Sequence, residues 1–139
     1  MKLQYFIGIL LIIVVAGCKN NGDKNVAGEW KVVEFRMTLD GKENISTTKN
    51  LTDAGAVWDL NFGKDGKFRQ DFNMGNPEMK MQTEAGTWKS TTDSLFIKLA
   101  VEKTDIDLEY AYSISNDTLK LSIEYVPKKN RIVSKFVRK

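Results

Sequence analysis

DIDLEYAYSISNDTLKLSIEY, residues 105–125, decides the fold class. Ile106, Leu108, Tyr110, Tyr112 and Ile114 alternate with Asp105, Asp107 and Glu109, the two-residue period of a strand with one wet face. Ser115-Asn116-Asp117 then reverses the chain, and Leu119, Leu121, Ile123 and Tyr125 continue the alternation. Asn and Asp tolerate the backbone conformations of tight turns, so the two runs read as an antiparallel hairpin.

The same pattern extends in both directions. Glu29–Leu39 carries Trp30 and Val32, then Val33, Phe35, Met37 and Leu39, and this change of phase predicts a bulge at Val32-Val33. Strands are expected over Val57–Phe62, Lys67–Met74, Glu78–Lys89, Leu95–Val101 and Arg131–Arg138, separated by turn signals such as Gly63-Lys64-Asp65-Gly66 and Gly75-Asn76-Pro77. Residues 40–56 read as a long loop with at most a helical turn over Leu51–Ala56. Eight successive strands without long crossovers predict an all-β, antiparallel up-and-down eight-stranded barrel, filled by side chains or holding one small ligand. A β-sandwich is the alternative.

With 139 residues the chain has room for one domain. Its formal net charge is +3 with both signs interspersed, and its basic clusters, Lys128-Lys129-Asn130-Arg131 and Arg138-Lys139, lie at the tail. A nucleic-acid binder concentrates such charge in a stripe, so no nucleic-acid partner is expected. There is no histidine and one cysteine, which removes Cys–His and Ser–His nucleophiles and nearly excludes a zinc site. Asp59, Asp71, Asp105, Asp107 and Glu109 alternate with apolar residues and read as solvent-facing rather than catalytic. Asp105-x-Asp107-x-Glu109 forms an outward row, whereas calcium needs a cage of oxygens. The chain thus reads as a non-enzyme with no catalytic residues, metal or cofactor.

At the amino terminus, Met1-Lys2 precedes the apolar run Leu3–Ala16, too short to span a bilayer and matched to a signal peptide. Val15-Ala16-Gly17-Cys18 resembles the bacterial lipobox. That resemblance implies cleavage after Gly17 and diacylglycerol on Cys18 Sγ, giving a signal peptide (1–17), a lipidated cysteine with flexible tether (18–27) and a domain (28–139). Two or more acyl chains anchor a protein stably, so a membrane becomes the first partner. Lys19 in place of aspartate favours the outer membrane under the enteric retention rule, on its periplasmic or surface side.

Gly28-Glu29-Trp30 resembles the opening of the lipocalin family. In order, Gly-x-Trp, Phe62-Gly-Lys-Asp-Gly-Lys-Phe68, Gly86-Thr87-Trp88 and Tyr112-Ser-Ile-Ser-Asn-Asp-Thr-Leu119 are similar to the compact lipocalin-like domains of bacterial lipoproteins. The resemblance covers residues 28–139 and implies a barrel base closed by Trp30 and Trp88, with Arg138 stacked beside Trp30.

Tracing such a barrel places the tight turns 63–66, 91–93 and 115–117 at one end, and 40–56, 75–77, 102–104 and 126–130 at the other. The first strand starts at the tight end, so a mouth would face away from the membrane. Met37, Met74, Met79 and Met81 fall near that mouth, with Trp58, Phe72, Leu108 and Tyr125 at similar height and Tyr110 as a polar handle. These nine residues are the candidate lining for a small hydrophobic or amphipathic ligand. The competing reading is a filled barrel whose 40–56 segment contacts an envelope protein. Asp93-Ser94-Leu95 and Asp117-Thr118-Leu119 resemble a periplasmic O-glycosylation tripeptide at Ser94 and Thr118, but Asp before Ser or Thr is ordinary turn chemistry, which is the preferred reading.

Overall fold

The computed structural model describes residues 26–125 and 130–139; the lipobox residue Cys18 and residues 126–129 lie outside them. The strands are β1 (Gly28–Leu39), β2 (Lys42–Ser46), β3 (Trp58–Phe62), β4 (Lys67–Phe72), β5 (Gln82–Ser90), β6 (Ser94–Val101), β7 (Thr104–Ser115), β8 (Thr118–Tyr125) and β9 (Asn130–Arg138), with one helix, α1 (Thr48–Asp53). From β3 to β9 each strand pairs antiparallel with the next, and β3 also pairs with β1. β9 returns to β1, from Trp30 opposite Arg138 to Thr38 opposite Arg131. Eight strands therefore close into a barrel, and the sandwich alternative, which would separate β1 from β9, is excluded.

The β1–β9 register slips between Val32 and Glu34, where the sequence changes phase. The inward set consequently passes from Trp30 and Val32 to Phe35 and Met37. The Val33 carbonyl accepts a hydrogen bond from Thr48 Oγ1 at 2.7 Å, so the bulge is tied to the first residue of α1.

Residues 40–56 are not the long loop that the sequence suggests. β3 pairs only with Gly28–Lys31, which would leave the upper half of β1 with an unpaired edge. β2 occupies that edge, from Phe35 opposite Ser46 to Leu39 opposite Lys42, through a turn at Asp40-Gly41 with positive φ at both residues. α1 follows, capped reciprocally: Thr47 Oγ1 accepts from the Asn50 amide and Asn50 Oδ1 accepts from the Thr47 amide. Its Leu51 is buried.

Two strand ends also need correction. β4 stops at Phe72 rather than Met74, and β5 starts at Gln82 rather than Glu78. Asn73 is the cause at the first: it is buried, its Oδ1 accepts from the Val57 amide at 2.7 Å, and its Nδ2 donates to the Gly55 carbonyl at 2.9 Å. These bonds commit Asn73 to the segment leading into β3. Beyond it, the Asn76 carbonyl accepts from the Met79 amide and Met79 sits at φ 53°, a backbone turn that keeps the chain out of the ladder.

The tight-turn end is packed solid. Trp30, Phe62, Leu95, Leu119 and Phe136 are fully or almost fully buried there, and Phe62 contacts Phe68 at 5.0 Å and Trp88 at 5.3 Å between ring centroids. Each such side chain contributes roughly 1.5–3 kcal/mol by leaving water. Both indole N–H groups at this end are satisfied, Trp30 by the Val26 carbonyl and Trp88 by the Gly63 carbonyl, each at 2.8 Å. Arg138 Cζ lies 4.2 Å from the Trp30 ring centroid, and its Nη1 donates to the Ala27 carbonyl. Val26 and Ala27 are thus not part of a tether: Val26 is completely buried. Gly28 has φ 130°, and a Cβ there would lie 2.9 Å from Arg138 Nη1, which accounts physically for glycine two residues before the tryptophan.

β5 and β6 approach so closely at Gly86 that a Cβ would stand 1.8 Å from the Lys98 carbonyl oxygen. Backbone cannot yield as a side-chain tip can. Gly86→Ala is expected to lower stability by about 1–3 kcal/mol, read as a lower urea midpoint. An unchanged midpoint would mean that the two strands are not held at this spacing.

Candidate functional site

The upper half of the barrel differs from the base. A cavity of about 290 Å³ opens there, lined by Phe35, Met37, Trp58, Gln70, Phe72, Met74 and Gly75. Trp58 forms its floor, edge-on to Phe136 below at 5.1 Å and to Phe35 beside it at 6.1 Å. The bulge at Val33 turns Phe35 and Met37 inward, while the short β3 and the Asn73 clasp leave space above Trp58. A ligand pocket typically offers ~300–1,000 Å³, so this one suits a small guest or one end of a longer molecule.

Of the nine residues expected to line a pocket, the structure brings together four: Met37, Trp58, Phe72 and Met74. Met79 and Met81 are a correction, standing 38% and 55% exposed outside the cavity. They lie in the segment before β5, where the ladder that would have aimed them inward is absent. Tyr125 is 47% exposed at the end of β8. Leu108 and Tyr110 face inward on β7, against Ile97 and Leu95 of β6, and pack on the core.

Sequence reasoning missed the polar interior. Gln70 lies between Phe68 and Phe72 on the inward face of β4, and its register partner on β5 is Glu84. Trp58 Nε1 donates to Gln70 Oε1 at 3.0 Å, and Gln70 Nε2 donates to Glu84 Oε2 at 2.6 Å. The signal was available: counting back by twos from Trp88 gives Gly86, Glu84 and Gln82 as one face. Reading β5 from Met79 and Met81 instead put it in the wrong phase.

Tyr110 adds a hydroxyl, and among the described residues nothing hydrogen-bonds to it. Burial, then the neighbouring Tyr125 and Glu84, push its pKa up to about 12. The outward carboxylates differ. Asp71 is pulled below the usual carboxylate range by Arg69, which donates to it at 2.9 Å, and by the Thr83 hydroxyl. Among the described residues no three His, Cys, Asp or Glu side chains stand close enough to hold a metal ion.

A larger concavity, about 530 Å³, involves Thr87–Lys89, Phe96–Lys98 and Asp107–Glu109. All come from β5, β6 and β7 with none from the opposite wall, so it is a groove on one wall of the barrel, not the mouth. Its polar side chains are those of the exposed face.

The Tyr110 environment makes stability depend on alkaline pH. Below the ordinary tyrosine pKa the phenol is protonated in both states and its contribution is complete. Between pH 10 and about 12 the unfolded chain loses this proton while the folded one keeps it, so stability falls as pH rises. The expected loss is about 2–3 kcal/mol, absent in Tyr110→Phe, and urea melts across this window test it.

A family model described as lipocalin-like domain matches residues 26–122. No curated protein sequence matches the chain. Among solved structures, a lipocalin-like protein from Bacteroides uniformis is 17% identical with a TM-score of 0.55, over 83% of this chain and 99% of that one. An uncharacterized protein from Bacteroides eggerthii is 14% identical with a TM-score of 0.49, over 78% and 97%. A single-site mutant of the fluorescent protein UnaG is 10% identical with a TM-score of 0.45, over 83% and 96%. With its family match spanning most of the closed barrel, the chain belongs to the lipocalin-like domain family.

Proposed function

We propose that this protein is a lipid-anchored lipoprotein of the bacterial cell envelope whose barrel, without catalysing a reaction, binds a small hydrophobic or amphipathic molecule in its open half. The cavity above Trp58 is the observation that carries this reading. It is apolar around most of its wall, open at one end and bordered by polar groups that could orient a guest. Trp58, Phe72, Met37 and Met74 supply the contact area, and methionine adapts to guests of irregular shape.

The anchoring half of the proposal rests on Val15-Ala16-Gly17-Cys18 and the apolar run before it. Val26 enters the domain at the packed base, so a tether arriving there leaves the mouth directed away from the bilayer. Lys19 supports the outer membrane as destination.

A second reading has its own observation. Leu39, Ile45, Met79, Met81, Ile106 and Tyr125 are large apolar side chains exposed around the open end. A rim of this kind suits an envelope protein that docks on the mouth, with the barrel as scaffold.

Native mass spectrometry of the delipidated domain purified from its own host is expected to show a lipid-sized adduct. Met74→Trp, which fills the cavity, should remove the adduct while leaving the thermal midpoint within a few degrees. Adduct-free wild-type protein would favour the scaffold reading. Cys18→Ser should abolish incorporation of labelled fatty acid into the protein; undiminished labelling of the variant would refute the anchor.

A further inference from the structure

We infer that the open half of the barrel selects an apolar molecule whose polar end donates hydrogen bonds, a protonated amine above all, and rejects fatty acids and other anionic amphiphiles. This rests on the proposal that the cavity binds a ligand, and adds the chemistry of its head group.

Glu84 carries the argument. Among the described residues it is the one acidic side chain at an inward-facing strand position, half-buried and opposite Gln70. None of the ion pairs among the described residues includes it, nor the outward Glu29, Asp105 and Glu109, whereas the outward Glu34, Asp59, Asp71, Asp107 and Glu124 each have a lysine or arginine within 4.0 Å. What sets Glu84 apart is its inward position. The inward guanidinium, Arg138, is at the opposite end, stacked on Trp30.

Gln70 fixes the polarity of the site. An amide can present either its oxygen or its nitrogen, but here the indole N–H of Trp58 claims the oxygen, so the nitrogen must point at Glu84. The relay therefore runs from donor to acceptor and ends on a carboxylate. Glu84 does not itself line the cavity but stands one hydrogen bond behind Gln70, which does; its Oε1 makes no hydrogen bond within the described protein and can accept from a polar end that reaches past the Gln70 amide. Tyr110, a neutral phenol at physiological pH, brings no charge to offset that of Glu84. A carboxylate brought beside Glu84 meets like charge in a partly desolvated space, whereas an ammonium gains a charge-assisted hydrogen bond.

The test compares octylamine, octanol and octanoate by calorimetric titration at neutral pH, on the wild-type barrel and on Glu84→Gln. Octylamine is expected to bind the wild type about tenfold more tightly than octanoate, a factor typical of one charge-assisted contact, with octanol between them. Glu84→Gln, whose fold is checked by thermal melting, should bring the amine and the acid to within about twofold of each other. Equal or tighter binding of octanoate by the wild type overturns the inference while leaving the cavity as a ligand site. So does an amine preference that survives in Glu84→Gln, since other acids would then be its source. If the wild type binds none of the three, the ligand-binding proposal falls and this inference with it. The wild-type ranking needs no variant, so a misfolded Glu84→Gln does not protect the idea.

Discussion

The ladder between β9 and β1 is the constraint on which the rest of the molecule depends. Asn130–Arg138 lies antiparallel along Gly28–Leu39, and this pairing removes the two sheet edges that an eight-stranded meander would otherwise expose. It also has long-range consequences for single side chains. Because Arg138 arrives opposite Trp30, the guanidinium covers the indole, the indole N–H reaches back to the Val26 carbonyl, and Gly28 is left no room for a Cβ. One end of the barrel is thereby sealed by residues from both ends of the domain.

Closure also obliges β1 to serve three partners, and the asymmetry of the interior follows. Its first residues pair with β3, its later ones with β2, and its other edge with β9. The bulge at Val33 reconciles these demands by shifting which residues face inward, and its carbonyl is satisfied by Thr48 at the start of α1. Below the bulge, large rings fill the cross-section. Above it, Phe35, Met37 and Trp58 border a cavity that the side chains leave unfilled. The polar relay from Trp58 through Gln70 to Glu84 lies at this boundary, where the guest's polar end is proposed to be read.

The barrel class was legible because alternation is local. Residues 105–125 carry it without interruption, and the phase change at Val32-Val33 marked the bulge from sequence alone. The site was less legible. Alternation at Phe68 and Phe72 places Gln70 inside, but a glutamine between two phenylalanines gives no hydrophobic signal that would mark it as part of a site. Glu84 was concealed by Met79 and Met81, whose hydrophobicity suggested the wrong phase for β5. The Asp40-Gly41 turn was a usable hairpin signal, yet Lys42–Ser46 holds a single apolar residue, Ile45, and so did not read as a strand.

The sequence by itself determined the period of the strands, the positions of most turns and the absence of histidine chemistry, since each depends on residues close together in the chain. Its amino-terminal motif sets an expectation about location on the same local basis. Only the tertiary structure decided where the interior is solid and where it is hollow. That depends on how far β3 extends along β1, on Asn73 bridging to Gly55 and Val57, and on Gln70 meeting Glu84 across a strand pair. These are contacts between distant segments, fixed by register and closure, and no local pattern of residues specifies them.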